Sequence, residues 1–297
     1  MWNPHVLSAC KELLLRDLIE TNKVDVAIVP EADAGTHAIP VIAGYTTFRP
    51  LASKIARVLI FVREHFEAEI LPLGDPEVPT IWIKVNKTVI GGIYRQFTSR
   101  NGDGGTGSAF ETRQLDIMLD QLDKASKLAQ GDFLIAGDFN LDPTRRADPS
   151  YYNVGLLERF LQATDELGLS WAPTGPTFKS DGKFNGHYRR STIDLVLSKT
   201  KRPYQAEALA SAGSDHSPVL AWADLARQGP MRRSRMGRDW ANLDPRHLCA
   251  LLSEWELWEP FFYETSPSSL VRQIEEILTQ ALDALVPSEK SPSRTRP

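Results

Sequence analysis

Short apolar runs with turn-like breaks between them recur through residues 1–224, and they leave room for few architectures. Val24–Val29, closed by Pro30, is one. Arg57–Val62, Ile81–Val85, Val89–Tyr94, Asp132–Ala136, Ile193–Leu197 and Val219–Trp222 follow. Each has the length of a buried strand and falls short of a helix. Between them lie stretches of helical period. In residues 5–22, Leu7, Leu13, Leu14, Leu18 and Ile19 form a stripe; in Glu111–Ala129, Leu115, Met118, Leu119 and Leu122 share a face; Val154–Leu167 is a third amphipathic segment. Asn101–Ser108 carries four glycines and reads as a loop. Strands in pairs, with helices interspersed, predict an α/β (α+β) fold of two sheets packed face to face with helices outside.

Beyond Asp224 the pattern changes. Arg232, Arg233, Arg235 and Arg238 make a basic spot in a linker, Trp240–Phe262 holds three of the seven tryptophans, and Ser268–Val286 reads as an amphipathic helix. Pro287–Pro297 is polar and rich in Pro and Ser, the composition of a flexible tail. Two segments are therefore expected, a domain over 1–225 and a linker with helical connector over 226–297.

With 42% hydrophobic and 24% charged residues the chain has the composition of a soluble globular protein. No apolar run approaches the ~20 residues that span a bilayer, and Met1–Lys11 lacks a basic end followed by an apolar stretch, so neither membrane nor secretory pathway is expected. Cys10 and Cys249, 239 positions apart, exclude a disulfide framework and favour a reducing compartment, nuclear or cytoplasmic. Net charge is −4. Binding a phosphodiester would then require a local basic cluster or a metal.

Polar groups gather at the ends of the apolar runs. Gly137-Asp138-Phe139-Asn140 follows Asp132–Ala136 directly, putting a metal ligand or base and an amide donor at a sheet rim, although the same residues suit a turn. Ser214-Asp215-His216 precedes Val219–Trp222 and offers an acid–base imidazole beside a carboxylate, or a plain capped loop. Asp194 interrupts an apolar strand, where a carboxylate is costly unless paired; His216 is its obvious partner, and solvation on the outer face is the alternative. Glu31 ends the first run and suits a metal, or is a solvated loop residue. Tyr94 and Arg95 end another run and suit a phosphate, or the ring is core. Asn3 is the weakest in isolation. A His–Asp couple with metal-ligating carboxylates is the parts list of metal-assisted phosphoester hydrolysis.

The ordered set Asn3, Pro30-Glu31, Ile93-Tyr94, Gly137–Asn140, Ile193-Asp194 and Ser214–His216 resembles the endonuclease/exonuclease/phosphatase superfamily over about residues 1–224, and most closely the endonuclease domain of LINE-type non-LTR retrotransposons. That resemblance implies a four-layer α/β sandwich whose first strand is truncated, since only Met1 and Trp2 precede Asn3. It also implies Mg2+, with Mn2+ as a substitute, held by Glu31 with Asn3 and Asp215 close by. In it His216 stabilises the scissile phosphate and pairs with Asp194, Asp138 orients or deprotonates water, and Asn140 and Tyr94 hold phosphate oxygens. Thr177 and Ser214 are assigned substrate-side roles. Lys179, Lys183, His187, Arg189 and Arg190, with Phe184 and Tyr188 among them, suit DNA contact or form a solvated loop. Magnesium agrees with oxygen ligands, and no zinc-type Cys/His spacing is present. The expected activity is a DNA endonuclease leaving a 3′-hydroxyl, in a protein with a downstream reverse transcriptase. An abasic-site or other phosphoesterase of the same superfamily and an inactive DNA-binding remnant are the alternatives.

Overall fold

The regular elements of the first part of the chain fall into two sheets with helices on their outer faces. The computed structural model describes residues 1–35, 39–50, 55–96, 106–129, 131–148, 151, 153–172, 174–184, 187–199, 205–211, 213–223, 236–237, 243–253, 267–285 and 289–290. It divides into two units, Met1–Gln228 and Gly229–Pro297.

In the first unit, β1 (Val26–Gly35), β2 (Tyr45–Phe48) and β3 (Ile55–Arg63) form an antiparallel sheet ordered β1-β3-β2. A second sheet runs β4-β5-β6-β7-β11-β8, with β4 Ala68–Leu71, β5 Thr80–Val85, β6 Thr88–Tyr94, β7 Phe133–Asp138, β8 Ser170–Trp171 and β11 Asp194–Lys199. It is mixed, because β6 and β7 are parallel and its other pairs antiparallel. The helices are α1 (Ala9–Thr21), α2 (Thr106–Leu128) and α3 (Val154–Glu166). Two hairpin-like pairs complete the unit, β9 (Phe178–Phe184) with β10 (His187–Ser191) and β12 (Gln205–Ala208) with β13 (Val219–Trp222).

Side-chain alternation stacks these elements into four layers. Leu15 and Ile19 of α1 pack on Val29, Leu59 and Phe61 of the first sheet. Ile28, Val58 and Ile60 from its other face meet Ile81, Ile83, Ile90, Ala136 and Val196 of the second sheet. The opposite side of that sheet, through Trp82, Phe133, Ile135, Leu195 and Leu197, receives Leu115, Met118 and Leu122 of α2 and Leu157 and Phe160 of α3. The period of two explains why Trp82 and Ile83 serve different layers. Every residue of β6 is buried, as a strand covered on both faces requires.

Several boundaries differ from the sequence reading. The first strand does not stop at Pro30 but continues to Gly35, because the register shifts between Pro30 and Ala34 and the bulge accommodates the missing N–H. The first helix begins at Ala9, not residue 5, since His5 and Val6 sit at φ 48° and 68°. Thr106–Ser108 open α2 and are not loop, while residues 101–105 lie outside the described residues. The strands β2, β4, β8, β9, β10 and β12 were not expected; they are short or polar. Met1–Asn3 form no regular strand, yet the backbone there is not left open. Trp2 N–H donates to Ile28 O (3.0 Å), the Met1 amine donates to Val219 O (2.8 Å), and Val219 N–H donates to Met1 O (2.7 Å). The two residues thus tie β1 to β13.

The second unit contains α4 (Pro245–Leu252), capped by the Asp244 carboxylate that accepts from Arg246 N–H (2.9 Å), then α5 (Pro267–Leu285), and a short pairing of β14 (Met236–Gly237) with β15 (Glu289–Lys290). Residue 225, the Arg232–Arg235 spot, Arg238 and most of Trp240–Phe262 lie outside the described residues. Among the described residues no helix is long and apolar enough to cross a membrane.

Parallel β6 and β7 approach so closely that a Cβ on Gly137 would lie 1.9 Å from Ile93 O. Backbone cannot yield as a side chain tip does. Gly137→Ala is expected to destabilise the first unit by at least about 2 kcal/mol in urea unfolding, whereas Gly155→Ala, where nothing lies within 4 Å, is expected to be neutral or stabilising.

Candidate metal-assisted phosphoesterase centre

Register sets the centre. Asp138 ends β7 and Asp194 begins β11, and the two are direct antiparallel partners, so their carboxylates project to one face. Both are buried. Like charges placed directly opposite repel, and His216 relieves this: its Nδ1 lies 2.8 Å from Asp194 Oδ2 and its Nε2 4.0 Å from Asp138 Oδ2. Asn3 Nδ2 donates to the same Asp138 oxygen (2.9 Å), and Asn140 N–H donates to Oδ1 (3.0 Å). Tyr94, one strand over in parallel register with Asp138, gives its hydroxyl hydrogen to Glu31 Oε1. Ser214 Oγ donates to Asn3 O (2.9 Å) and accepts from His216 N–H (3.2 Å), holding the two loops together.

Backbone strain concentrates here. Of the non-glycine residues at positive φ, His5, Val6, Glu31, Asp33 and Asn140 belong to this rim or border it. Such conformations cost about 1–3 kcal/mol each and persist where surrounding structure enforces them.

The charges shift one another's protonation. Burial opposes the His216 imidazolium, but Asp194, by charge and hydrogen bond, with Asp138 and Asp215, outweighs it and pushes the ring up to about 9. Burial, then Asp194 and Glu31, push the Asp138 carboxyl up to about 8, against the pull of His216 and Asn140 N–H. Burial raises the Tyr94 phenol, and the Glu31 carboxylate it bonds raises it further, with Arg57 opposing.

Glu31, Asp138 and His216 present ligand atoms all within 4.8 Å of one another. Two carboxylates aimed at one point beside a third suit a hard divalent cation, which would offset the crowding that raises Asp138. The sequence reading grouped Glu31, Asn3 and Asp215 as ligands; in the structure Glu31 converges with Asp138 and His216, Asn3 spends its amide on Asp138 and its Oδ1 on His5 N–H (2.8 Å), and Asp215 lies outside that trio.

Two residues assigned to the substrate turn inward. Arg95 is fully buried, where its guanidinium donates to Glu111 Oε2 (2.9 Å) and to the carbonyls of Phe139 and Asn140 (3.3 Å each), while Asn140 Nδ2 donates to Arg95 O (2.8 Å). It braces the turn carrying Asn140 and does not face a ligand. Thr177 is also buried, its Oγ1 accepting from Ile193 N–H (3.2 Å) and Asp194 N–H (3.1 Å), so it fixes the start of β11. Arg189, Arg190 and Lys179 are exposed on the β9–β10 hairpin, whose root joins the centre through Lys179 N–H to Asp215 O (2.9 Å) and the Phe178 ring 5.0 Å from that of His216. Glu111 was not anticipated, because an acidic residue in a helix carries no sequence mark of a buried partner.

This chain belongs to the endonuclease/exonuclease/phosphatase family, whose model matches residues 7–216. It has that family's fold and a candidate acidic metal site of the kind its phosphoesterases use. No curated protein matches it. Among solved structures, the endonuclease domain of TRAS1, a telomere-specific non-LTR retrotransposon, is similar with TM-score 0.54 and 15% identity, over 76% of this chain and 97% of that domain. The AP endonuclease LMAP from Leishmania major is similar with TM-score 0.56 and 16% identity, over 73% and 84%. The 3′ phosphatase NExo from Neisseria, bound to a product DNA hairpin, is similar with TM-score 0.56 and 18% identity, over 75% and 97%.

Glu111→Ala would leave Arg95 buried and uncompensated, and is expected to cost about 3–5 kcal/mol in chemical unfolding. A pH dependence follows from His216. Because its folded value lies above the unfolded 6.5, its stabilisation is complete below about 6.5 and is lost as pH rises through about 9. Asp138, also raised, acts with the same sign. Urea unfolding of metal-free protein should show stability falling from pH 6.5 to 9, and Asp194→Asn should flatten that slope.

Proposed function

We propose that this chain is a Mg2+-dependent DNA endonuclease, with Mn2+ as an alternative ion, that cuts a phosphodiester to leave a 3′-hydroxyl, as in target-site nicking by a non-LTR retrotransposon. The observation that carries the reading is the His216 ring held between two buried carboxylates, beside Glu31, Asn3 and Asn140. Similarity to the TRAS1 endonuclease across nearly all of that domain supports the substrate class.

His216, charged near neutral pH, donates from Nε2 to a non-bridging phosphate oxygen and stabilises negative charge as it develops. Asp194 holds the ring by Nδ1 and keeps that nitrogen protonated. Asp138, in its ionised form, orients a water molecule and takes its proton as the new P–O bond forms and the P–O3′ bond breaks, the departing O3′ taking a proton from solvent water. Asn140 keeps one Nδ2 hydrogen beyond its bond to Arg95 O and donates it to a phosphate oxygen, and the Tyr94 hydroxyl, turned from Glu31 when substrate binds, donates to another. Glu31, with Asn3 and Asp215 close by, would hold the cation, which would supply Lewis-acid polarisation of the phosphate. Arg189, Arg190 and Lys179 provide cationic contacts along the nucleic-acid backbone. In this reading the unit Gly229–Pro297 is the connector to a reverse transcriptase.

Supercoiled plasmid incubated with Mg2+ should be nicked, and the nick should be extendable by a DNA polymerase without prior treatment. His216→Ala and Asp138→Ala should each lower the rate at least about 100-fold. Near-normal nicking by either variant would refute the assignment. A strong preference for an abasic oligonucleotide over plasmid would instead favour a repair phosphoesterase, the activity named for the Leishmania neighbour.

A further inference from the structure

Beside the acidic centre lies a cavity of about 500 Å³, within the ~300–1,000 Å³ typical of small-ligand sites. None of the residues assigned to the chemistry lines it. Its accessible apolar walls include Ile55, Ile70, Pro72 and Pro79, and its polar groups include Arg57, Asp75 and Gln96. Its lining adjoins the strand that carries Tyr94: Tyr94 N–H donates to Pro79 O (2.9 Å), and Thr80 pairs with Ile93. Pro79 and Thr80 therefore lie one strand spacing, about 4.8 Å, from Tyr94. Arg57 belongs to both places. It lines the cavity, its Nε lies 3.5 Å from Asp33 Oδ1 beside Glu31 in β1, and its charge acts on the Tyr94 phenol.

The lining chemistry narrows the occupant. Proline rings and branched aliphatic side chains offer apolar contact to a flat group. Asp75 Oδ1 accepts from Glu77 N–H (2.7 Å), leaving Oδ2 as an acceptor, and Gln96 Oε1 accepts from Gln114 Nε2 (3.0 Å), leaving its own amide hydrogens as donors among the described residues. A group with two apolar faces and an edge bearing both donors and acceptors is a nucleobase, and sites that take up single bases combine apolar packing with hydrogen bonds to that edge. The half-exposed Arg57 guanidinium at the junction suits a phosphate adjoining the one being cut.

We propose that this cavity is a subsite for one nucleobase of the bound strand, a neighbour of the scissile phosphate, with Arg57 contacting the intervening phosphate. The subsite rests on the nuclease reading, and its test separates the two. Gly74 lines the cavity, and a Cβ there would meet only Thr80 O, at 3.7 Å, an ordinary contact, so Gly74→Trp is the variant chosen to fill it. Oligonucleotides in which one base at a time near the cut is replaced by a tetrahydrofuran residue are compared, in cleavage with Mg2+ and in fluorescence anisotropy with Ca2+ in its place. Base removal at one adjacent position should weaken binding and raise KM at least about fivefold with kcat within about twofold. Gly74→Trp should weaken the intact oligonucleotide similarly and make it insensitive to that removal, and Arg57→Ala should weaken binding with base dependence retained. Circular dichroism checks that both variants fold. If no single base removal matters, or if Gly74→Trp retains the wild-type base dependence, the subsite is overturned even where cleavage stands. Base-dependent binding without cleavage would sustain the subsite and sink the nuclease assignment; absence of oligonucleotide binding would sink both.

Discussion

Two carboxylates facing each other across an antiparallel ladder impose the constraint on which the rest of the centre depends. Asp138 and Asp194 are register partners and both are buried, an arrangement that repels itself unless something cationic or hydrogen-donating stands between. His216 supplies the charge, and Asn3 and the Asn140 backbone supply donors. Each arrives from a different segment, so the chain must bring its first residues, the end of β7 and the loop before β13 to one point before these charges are compensated. The candidate centre and the fold are thereby coupled: the groups that compensate these charges also join distant segments of the chain.

Much of this was legible in the sequence because polar residues stand out where they end or interrupt apolar runs. Asp138, Asn140, Tyr94 and Glu31 stand at or just past the ends of apolar runs, Asp194 interrupts one, and the pairing of His216 with Asp194 follows from the cost of leaving a carboxylate unpaired in a strand. The four layers were readable from the alternation of strand and helix patterns. What stayed hidden lies in the third dimension. Arg95 beside Tyr94 looks the same whether its side chain turns to the rim or back under β7, and only the position of Glu111 in α2 decides. Thr177 likewise became a brace for β11 because its hydroxyl meets two backbone N–H groups. The ends of β1 were misplaced because a bulge lets a proline sit within a strand.

The brace beneath Asn140 shows how a site can be held without touching a ligand. Arg95 reaches two carbonyls of the turn while Asn140 returns a hydrogen bond to Arg95 O. A residue at φ 49° is kept in place by this reciprocal set. The ion pair to Glu111 fixes the guanidinium from the α2 side. Strain at the rim is thus balanced by polar contacts in the layer below it.

The hairpin β9–β10 hangs from the centre by its root. Ser217 N–H donates to Thr177 O (2.7 Å) and Lys179 N–H to Asp215 O, flanking His216 on both sides. The start of β9 is therefore paired directly with the loop that carries the imidazole, Phe178 standing opposite His216. Transplanting a hairpin from a relative would change more than a surface, since a graft that altered the pitch at Phe178 would shift the adjoining His216 ring with it.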